Sequence, residues 1–521
     1  MTQQSASTFS DLSRDLRGRL LLPGDPDWDT ARRPWNLRVD QRPAAIVEAT
    51  GADDIAATAA FAARHELRIT AQCTGHGAGA DIGGTIMLRT GLLREIIVDP
   101  VDDVVRVGAG VRSRDLAAAL SPHGLAASVG SGPTVGVTGY AMFGGAGVLG
   151  RAAGFMAHKV VAADVVTADG TRLRCDADSH RDLLWALRGG GGGYAIVTHL
   201  ELRLDRVPEL SGGQVMWPAA SAPELFSAWR DWTTRLPPEL SSTVGMISLP
   251  PLPHVPEPLR GRRVAVLTAC YAGPAGQGAS LIGELTAQTP APVLNAWRPL
   301  TAADLGNLSN NPGTPMPARM RGELLSDLPD EALGELFRLS GQDTDAPITM
   351  PFVRHLGGML AQDPPDGGAI GRCEAPYLLE LLGVAVTPEA DEAIRRDQHA
   401  TCAALGPWST GMTLPAFAVP PEDTAERLYP PATRDRLRRV KDRYDPDGVI
   451  PLSFPLHQPP PYGIFRCRDD LVTPLTGHSL RRLGAMHGIP WTPATTAQRQ
   501  SRTPTRAHPV TVRADGRRYP Y

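Results

Sequence analysis

The chain has 521 residues, 42% of them hydrophobic, and a formal net charge of -3. That length supports two domains with substantial cores, and the near-neutral balance excludes the basic footprint of a nucleic-acid or anionic-membrane binder. No stretch approaches the ~20 apolar residues of a membrane helix, and the N-terminus has neither a signal-peptide core nor a twin-arginine pair, so a soluble cytoplasmic protein is expected.

The first 30 residues read as a lead-in with an amphipathic helix near Phe9–Leu20. "AAIVEA" is a short apolar strand, "ADDIAATAAFAARHE" an amphipathic helix with Ile55, Ala59, Phe61 and Ala62 on one face, and "LRITAQ" a second strand. The loop "CTGHGAGADIGG" follows. "GTIMLRT", "EIIVDP" and "VVRVGAGV" are further strands, and "SRDLAAALSPHG" is a helix with a serine N-cap and a glycine stop. A glycine-dense stretch fills Ser131–Gly154. "KVVAADVVTADGTRLRCD" is a hairpin turned at Asp169-Gly170, and "DLLWALRGGGGGYAIVTHLELRL" is a helix, a glycine run and a strand. After Val207 glycine thins out into a second α+β unit. It holds the helices "ELFSAWRDWTTRL", "LIGELTAQ" and "PDEALGELFRLSG" and the strands "RRVAVLTACYAG" and "ITMPFVRHLGG". "ATRDRLRRVKDRYDP" is a basic, solvated helix stopped by Pro446. The end of the chain is rich in Arg, Pro and Thr without periodicity and reads as a disordered tail.

Six cysteines, Cys73, Cys175, Cys270, Cys373, Cys402 and Cys467, are scattered without a C-x-x-C pair. Neither a metal site nor a disulfide framework is expected. Chemistry concentrates instead in the glycine-rich segments Gly75–Gly84, Gly130–Gly147 and Gly189–Gly193. Glycine lets backbone N–H groups approach an anion closely, and several such loops suit a long ligand with a pyrophosphate in its middle. A Rossmann fingerprint is a poorer fit, because the loop around His76 does not open a helix and "GGAGVLG" is only a partial match.

In this order, the segments resemble a family. From Arg42 to Leu204 the sequence resembles the flavin-binding domain of the vanillyl-alcohol-oxidase superfamily, and within it the berberine-bridge-enzyme-like FAD-linked oxidases. "RPAAIVEATGADDIAATAAFAARHELRITAQCTGHG" is similar to the family's opening, and "GPTVGVTGYAMFGGAGVLGRAAG" to its long pyrophosphate loop. "DLLWALRGGGGGYAIVT", "PFVRHLGG" and "RLRRVKDRYDPDGVIPL" extend the likeness over most of the chain. The resemblance implies an α+β fold: a two-part PCMH-type FAD-binding domain plus an α+β substrate domain with an antiparallel sheet. The expected limits are a lead-in over 1–30, the FAD-binding domain over 31–207 and the substrate domain over 208–420. A C-terminal element returning to the FAD domain follows over 421–460, and the tail over 461–521.

The same resemblance implies that His76 bonds covalently to the flavin 8α-methyl. Thr74, Gly75, Gly77 and Ala78 flank that tether. Thr134, Val135, Gly136 and Gly139 meet the pyrophosphate, and Gly144, Gly145 and Gly147 allow close backbone approach. Val197 touches the adenine or ribose end through its main chain. Gly132 stands where some relatives have a second, cysteinyl tether, so one covalent bond is expected and Cys73 is expected to be a small buried residue. Other departures are His158-Lys159 for an Asp-Asn pair, and Gly193, Gly448 and Ser453 for asparagines. In "STGMTLPAFAVP", Leu414 and Ala416 replace a Tyr-x-Asn pair whose tyrosine accepts the substrate proton. Tyr377, His355 and Tyr140 are alternative bases. Arg354 and His355 lie on opposite faces of a strand, so only one of them faces the flavin. The expected function is oxidation of a small molecule, such as an alcohol, amine or hydroquinone from secondary metabolism, with O2 as acceptor giving H2O2. Two alternatives stand beside it: a dehydrogenase using another acceptor, and a flavin-bound protein that sequesters a drug or metabolite.

Overall fold

The computed structural model describes residues 3–456, apart from 80, 208, 250, 252, 254, 256, 312, 341–349 and 365. The tail expected over 461–521, with Cys467 in it, lies outside the described residues.

The first helix spans Gln3–Asp15 and ends earlier than the expected Leu20. Asp54 is the reason. Its carboxylate, 1% exposed, accepts the amides of Arg17 at 2.7 Å and Gly18 at 3.1 Å, together with the amide and hydroxyl of Thr50. A Cβ at Gly18 would lie 2.0 Å from the Glu48 carbonyl oxygen, so glycine lets the next residues pair closely. Arg19–Leu21 thus becomes a strand, antiparallel to Ala45–Glu48. Thr85–Arg89 and then Arg68–Gln72 complete this four-stranded sheet, both added in parallel. The central runs Ala45–Glu48 and Thr85–Arg89 are apolar almost throughout, as strands covered on both faces must be. The helix Ala52–Arg64 buries Ile55, Ala59, Phe61 and Ala62.

A second, antiparallel sheet runs in the order Ile96–Asp99, Val104–Gly108, Ile196–Arg203, Val160–Val166, Arg172–Cys175. Its hairpin turns at Asp169-Gly170 as expected, with Gly170 at φ +89° and Asp169 accepting the Thr171 amide at 3.0 Å. The helix after it in space starts at Ser113, but the serine is not its cap. Arg112 pairs with Gly136, and the Ser113 hydroxyl donates to Val135 O at 3.2 Å. The serine therefore ties the helix to the glycine-rich loop instead of capping it.

The third large unit is an eight-stranded antiparallel sheet. Its main order is Leu294–Asn295, Leu210–Pro218, Arg263–Ala272, Leu240–Ser248, Met350–His355, Tyr377–Val384, Ala318–Leu325. Alternate residues of a strand point to opposite faces, and here the faces have different partners. Val244, Leu267, Val353 and Leu379 pack under the helices Ala222–Thr233, Ala275–Thr286 and Asp330–Ser340, around Trp229 and Trp232. Leu324 and Leu378, on the other face, pack on Ala146, Phe155 and Ala157 of the glycine-rich stretch. The sheet is thus a slab with a helical back and a front turned toward the glycine loops. Among the described residues no helix is long and apolar enough to cross a membrane.

Candidate active site

The His76 loop is held from two sides. Gln41 and Gln72, both buried, exchange side-chain hydrogen bonds at 3.1 and 3.0 Å, and Gln41 also donates to Gly79 O at 2.8 Å. On the other side Trp35 N–H donates to Thr74 O at 2.8 Å and Asn36 N–H to Gly75 O at 3.3 Å. Gly75 has φ +80°, and a Cβ there would lie 2.7 Å from Pro34 Cβ, so the loop needs glycine at this point. Ala78 N–H closes back onto Gly75 O at 3.4 Å.

His76 itself is fixed. Its Nε2 lies 2.9 Å from Thr134 Oγ1, and its ring stacks on Trp35 with centroids 4.0 Å apart and planes at 16°. Burial pulls the imidazole down to about 4, with Arg112 adding to the effect and the bond to Thr134 opposing it. His76 is therefore a neutral imidazole at physiological pH. The hydrogen bond joins the loop after Gln72 to the Gly132–Gly136 loop, which leads into the helix Val137–Met142 that holds Gly139, so the structure brings together His76, Thr134, Val135 and Gly136. The Gly136 position lies 3.3 Å from Cys73 Sγ, measured from a Cβ built on that glycine. Cys73 is half-buried, not fully enclosed, and burial raises its thiol above the ordinary range.

The glycines divide into two groups. Cβ atoms added at Gly77 and Gly139 would meet nothing within 4 Å. At Gly144 a Cβ would lie 2.6 Å from Ile370 Cδ1, at Gly145 2.7 Å from the Tyr140 ring, and at Gly147 2.3 Å from Ser128 O. Gly144, Gly145 and Gly147 are thus buried against protein and give close approach to the protein's own backbone and side chains. The close approach expected at these three glycines is thus seen toward protein atoms. Val197 is paired with Val165 in the second sheet and is 5% exposed, with its side chain in the core.

Do these residues fit an FAD? Several buried polar atoms have no hydrogen-bond partner within the described residues: Trp35 Nε1, Arg89 Nη1, Ser128 Oγ, Thr138 Oγ1 and the Tyr140 hydroxyl. Buried polar groups in native proteins are nearly always paired, so such a group of orphans marks surface built for a polar ligand. The open position at Gly77 beside a neutral histidine, with the Nε1 of the stacked Trp35 unpartnered among the described residues, fits a flavin dinucleotide.

On the substrate side the proposed bases separate. His355 and Tyr377 pair across the strands and both turn to the helical back of the sheet. The Tyr377 hydroxyl bonds Thr233 Oγ1 at 2.9 Å, and both rings pack near Trp229. His355 Nε2 takes Arg151 Nη1 at 3.0 Å, and burial followed by the Arg151 charge lowers it to about 3. Of the Arg354-His355 pair, Arg354 is the one on the front of the sheet, toward the glycine-rich stretch. It donates to Glu380 at 2.8 Å and to Ala146 O at 2.9 Å, and lies over the Phe417 ring. Tyr140 is on this front side as well. Burial pushes its phenol up, and Arg354 and Glu380 lie close enough to act on it in opposite senses. Glu380 escaped the sequence reading because it sits in the apolar run "YLLELLGV". A carboxylate breaking such a run was the available signal.

The departures have physical grounds. Leu414 is 5% exposed and packs with Phe417 on Leu324 and Leu378, an apolar cover with no proton acceptor. A Cβ at Gly193 (φ +115°) would lie 2.6 Å from Leu452 Cα, which leaves no room for the asparagine of relatives. Lys441 Nζ donates to Gly193 O at 2.7 Å and Ser453 N–H to Gly192 O at 3.3 Å, bringing 441–453 onto the glycine run. His158 contacts Ile370 O, and Lys159 is paired with Asp205.

Comparison with known proteins places an FAD-binding domain in this part of the chain. Residues 43–176 match the FAD binding domain family. The chain is 33% identical to (R)-6-hydroxynicotine oxidase of Paenarthrobacter nicotinovorans over 40% of its own length and 46% of that protein. It spans about half the length of the first curated relatives it matches. The FAD-linked oxidoreductase YgaK of Bacillus subtilis is 23% identical over 84% of this chain and 96% of that protein. Among solved structures, Physcomitrella patens BBE-like 1 superposes with TM-score 0.74 at 20% identity, over 87% of this chain and 99% of that one. The 6-hydroxy-D-nicotine oxidase of Arthrobacter nicotinovorans superposes with TM-score 0.70 at 23% identity, over 85% and 98%. Residues 43–176 therefore carry an FAD-binding domain. The chain has the berberine-bridge-enzyme-like α+β fold, as its sequence resemblance implied.

Proposed function

We propose that this chain is an FAD-linked oxidase that holds its flavin by a single covalent bond through His76 and removes two hydrogens from a small-molecule substrate, with O2 as acceptor. The observation that carries the reading is the neutral, clamped imidazole of His76 in a loop flanked by open glycines and unpaired buried donors. When bound, FAD supplies a hydride acceptor at N5 and a route for two electrons to dioxygen. One relative is named (R)-6-hydroxynicotine oxidase and another an FAD-linked oxidoreductase, which supports oxidation of a small molecule, an amine among the candidate classes. In this reading residues 31–207 bind FAD, 208–420 shape the substrate pocket, and 421–460 close on the glycine run.

The chain's own residues divide the work. Thr134, Gly136 and Gly139 line the dinucleotide side. Glu380 is the carboxylate on the front of the sheet, and Arg354 orients it by the 2.8 Å bond. It takes the substrate proton that leaves as hydride departs, in place of the absent tyrosine. Tyr140, whose hydroxyl has no partner among the described residues, is the second group there. Leu414 and Phe417 keep water from that face.

Acid precipitation of the purified protein tests the tether: FAD mass on the tryptic peptide containing His76 is the expected result, and free FAD in the supernatant overturns it. Glu380→Gln is expected to lower kcat by ~10²-fold or more at unchanged FAD content, the size of a lost general base. Peroxide formed in air, one per substrate, separates the oxidase from a dehydrogenase. The apolar cover of Leu414 and Ala416 favours one second reading, a flavoprotein that binds a metabolite with little turnover. Anaerobic bleaching of the flavin by an amine or alcohol panel decides against that reading.

A further inference from the structure

His76 is held by more than its own loop. The segment Pro34–Leu37 runs between the His76 loop and the outer strand of the large sheet. Trp35 N–H reaches Thr74 O at 2.8 Å, while Met316 N–H donates to Trp35 O and Leu37 N–H to Met316 O, both at 3.1 Å. The Asn36 side chain donates to Ala318 O at 2.9 Å and accepts Ala318 N–H at 3.0 Å. Backbone bonds on both edges hold the strap, and its one aromatic side chain lies flat on the His76 imidazole. Stacking fixes the plane of the ring, and the 2.9 Å contact of Nε2 with Thr134 Oγ1 fixes its rotation within that plane.

We propose that Trp35 is a positioning residue for flavin attachment: with Thr134 it clamps the imidazole in the plane and rotation from which it bonds the flavin 8α carbon. The inference rests on His76 being the tether. A neutral imidazole keeps a lone pair on one ring nitrogen. That lone pair forms the bond to C8α. One proton leaves the methyl carbon and one leaves the other ring nitrogen, and the two electrons of the broken C–H bond enter the isoalloxazine. Dioxygen then removes them with two protons as hydrogen peroxide. The neutrality of the imidazole near pH 7 agrees with this order of events.

The test uses the full chain, produced without riboflavin and then supplied with FAD, and follows the covalent fraction in acid pellets over time. Wild type, His76→Ala, Trp35→Phe, Trp35→Leu and Thr134→Val are compared, each with its non-covalent FAD content and Tm. Wild type is expected to attach FAD and His76→Ala to attach none. Trp35→Leu is expected to slow attachment by ~tenfold or more while still binding FAD, and Trp35→Phe, which keeps a flat ring, to restore most of the rate. Hydrolysis to histidyl-riboflavin and NMR is expected to give a single isomer from wild type and a mixture from Thr134→Val. Attachment at the wild-type rate in Trp35→Leu overturns the proposal, as does a mixture of linkages in wild type. Loss of non-covalent FAD and Tm together in both Trp35 variants also overturns it, because the tryptophan would then support the loop and not orient the ring. Wild type with only dissociable FAD overturns the tether reading itself, a result distinct from the others.

Discussion

The Gly75–Gly79 loop and the Gly144–Gly147 turn carry three glycines each and stand in opposite surroundings. In the first, Gly77 is exposed and has open space where a side chain would begin. In the second, the glycines are buried, and Ile370, Tyr140 and Ser128 occupy that space. One set leaves room for something that is not protein, and the other lets two pieces of protein touch. Glycine alone does not distinguish a ligand cradle from a packing contact. The neighbours within a few ångströms of the missing Cβ do.

Substitutions that add one methyl group test that contrast most sharply. Gly147→Ala would place Cβ against the Ser128 and Val129 carbonyl oxygens, at 2.3 and 2.5 Å. Backbone gives way poorly, so a loss of about 3 kcal/mol is expected in chemical denaturation, with or without FAD. Equal stability of this variant and wild type would break the contrast. His76→Ala comes next. It is expected to abolish the covalent fraction in acid pellets while the apo-protein unfolds at nearly the same denaturant concentration. A smaller effect follows from the buried imidazole. Between its ordinary value of 6.5 and about 4, the unfolded chain binds a proton that folded His76 refuses. Stability of the apo-protein therefore falls as pH falls through that window and is level above it, and His76→Ala flattens the profile there. Gly77→Ala should be the mildest, below ~1 kcal/mol in stability, yet with a measurable rise in the dissociation constant for FAD.

Much of this was legible because periodicity is local. The strand-helix-strand run into the His76 loop, the hairpin at Asp169-Gly170 and the five-membered glycine run all stand where the sequence puts them. What was not legible depends on distant pairing. Strand alternation separates Arg354 from His355, but only the helix layer around Trp229 decides that the histidine faces backward. Tyr377 follows it because the two are register partners. Glu380 looked like an isolated charge in an apolar strand until the pairing of Phe352 with it put Arg354 two residues along the neighbouring strand. The early end of the first helix is of the same kind, since Asp54, far along the chain, claims the amides that would have continued it.

The Asn36–Ala318 contact joins residues 282 positions apart in the chain. On a ribosome, the segment carrying Trp35 emerges long before its outer partner exists. Until residues 316–318 are made and the large sheet's outer strand is in place, the strap has hydrogen-bond partners on one edge alone. The imidazole is thus held in its final pose only once some three fifths of the chain has been made, so the readiness of the anchor waits on a strand of the other sheet. A truncated or misassembled copy is left with an unsteadied histidine, and a cofactor commitment that depends on this steadiness acts as an inspection of the fold.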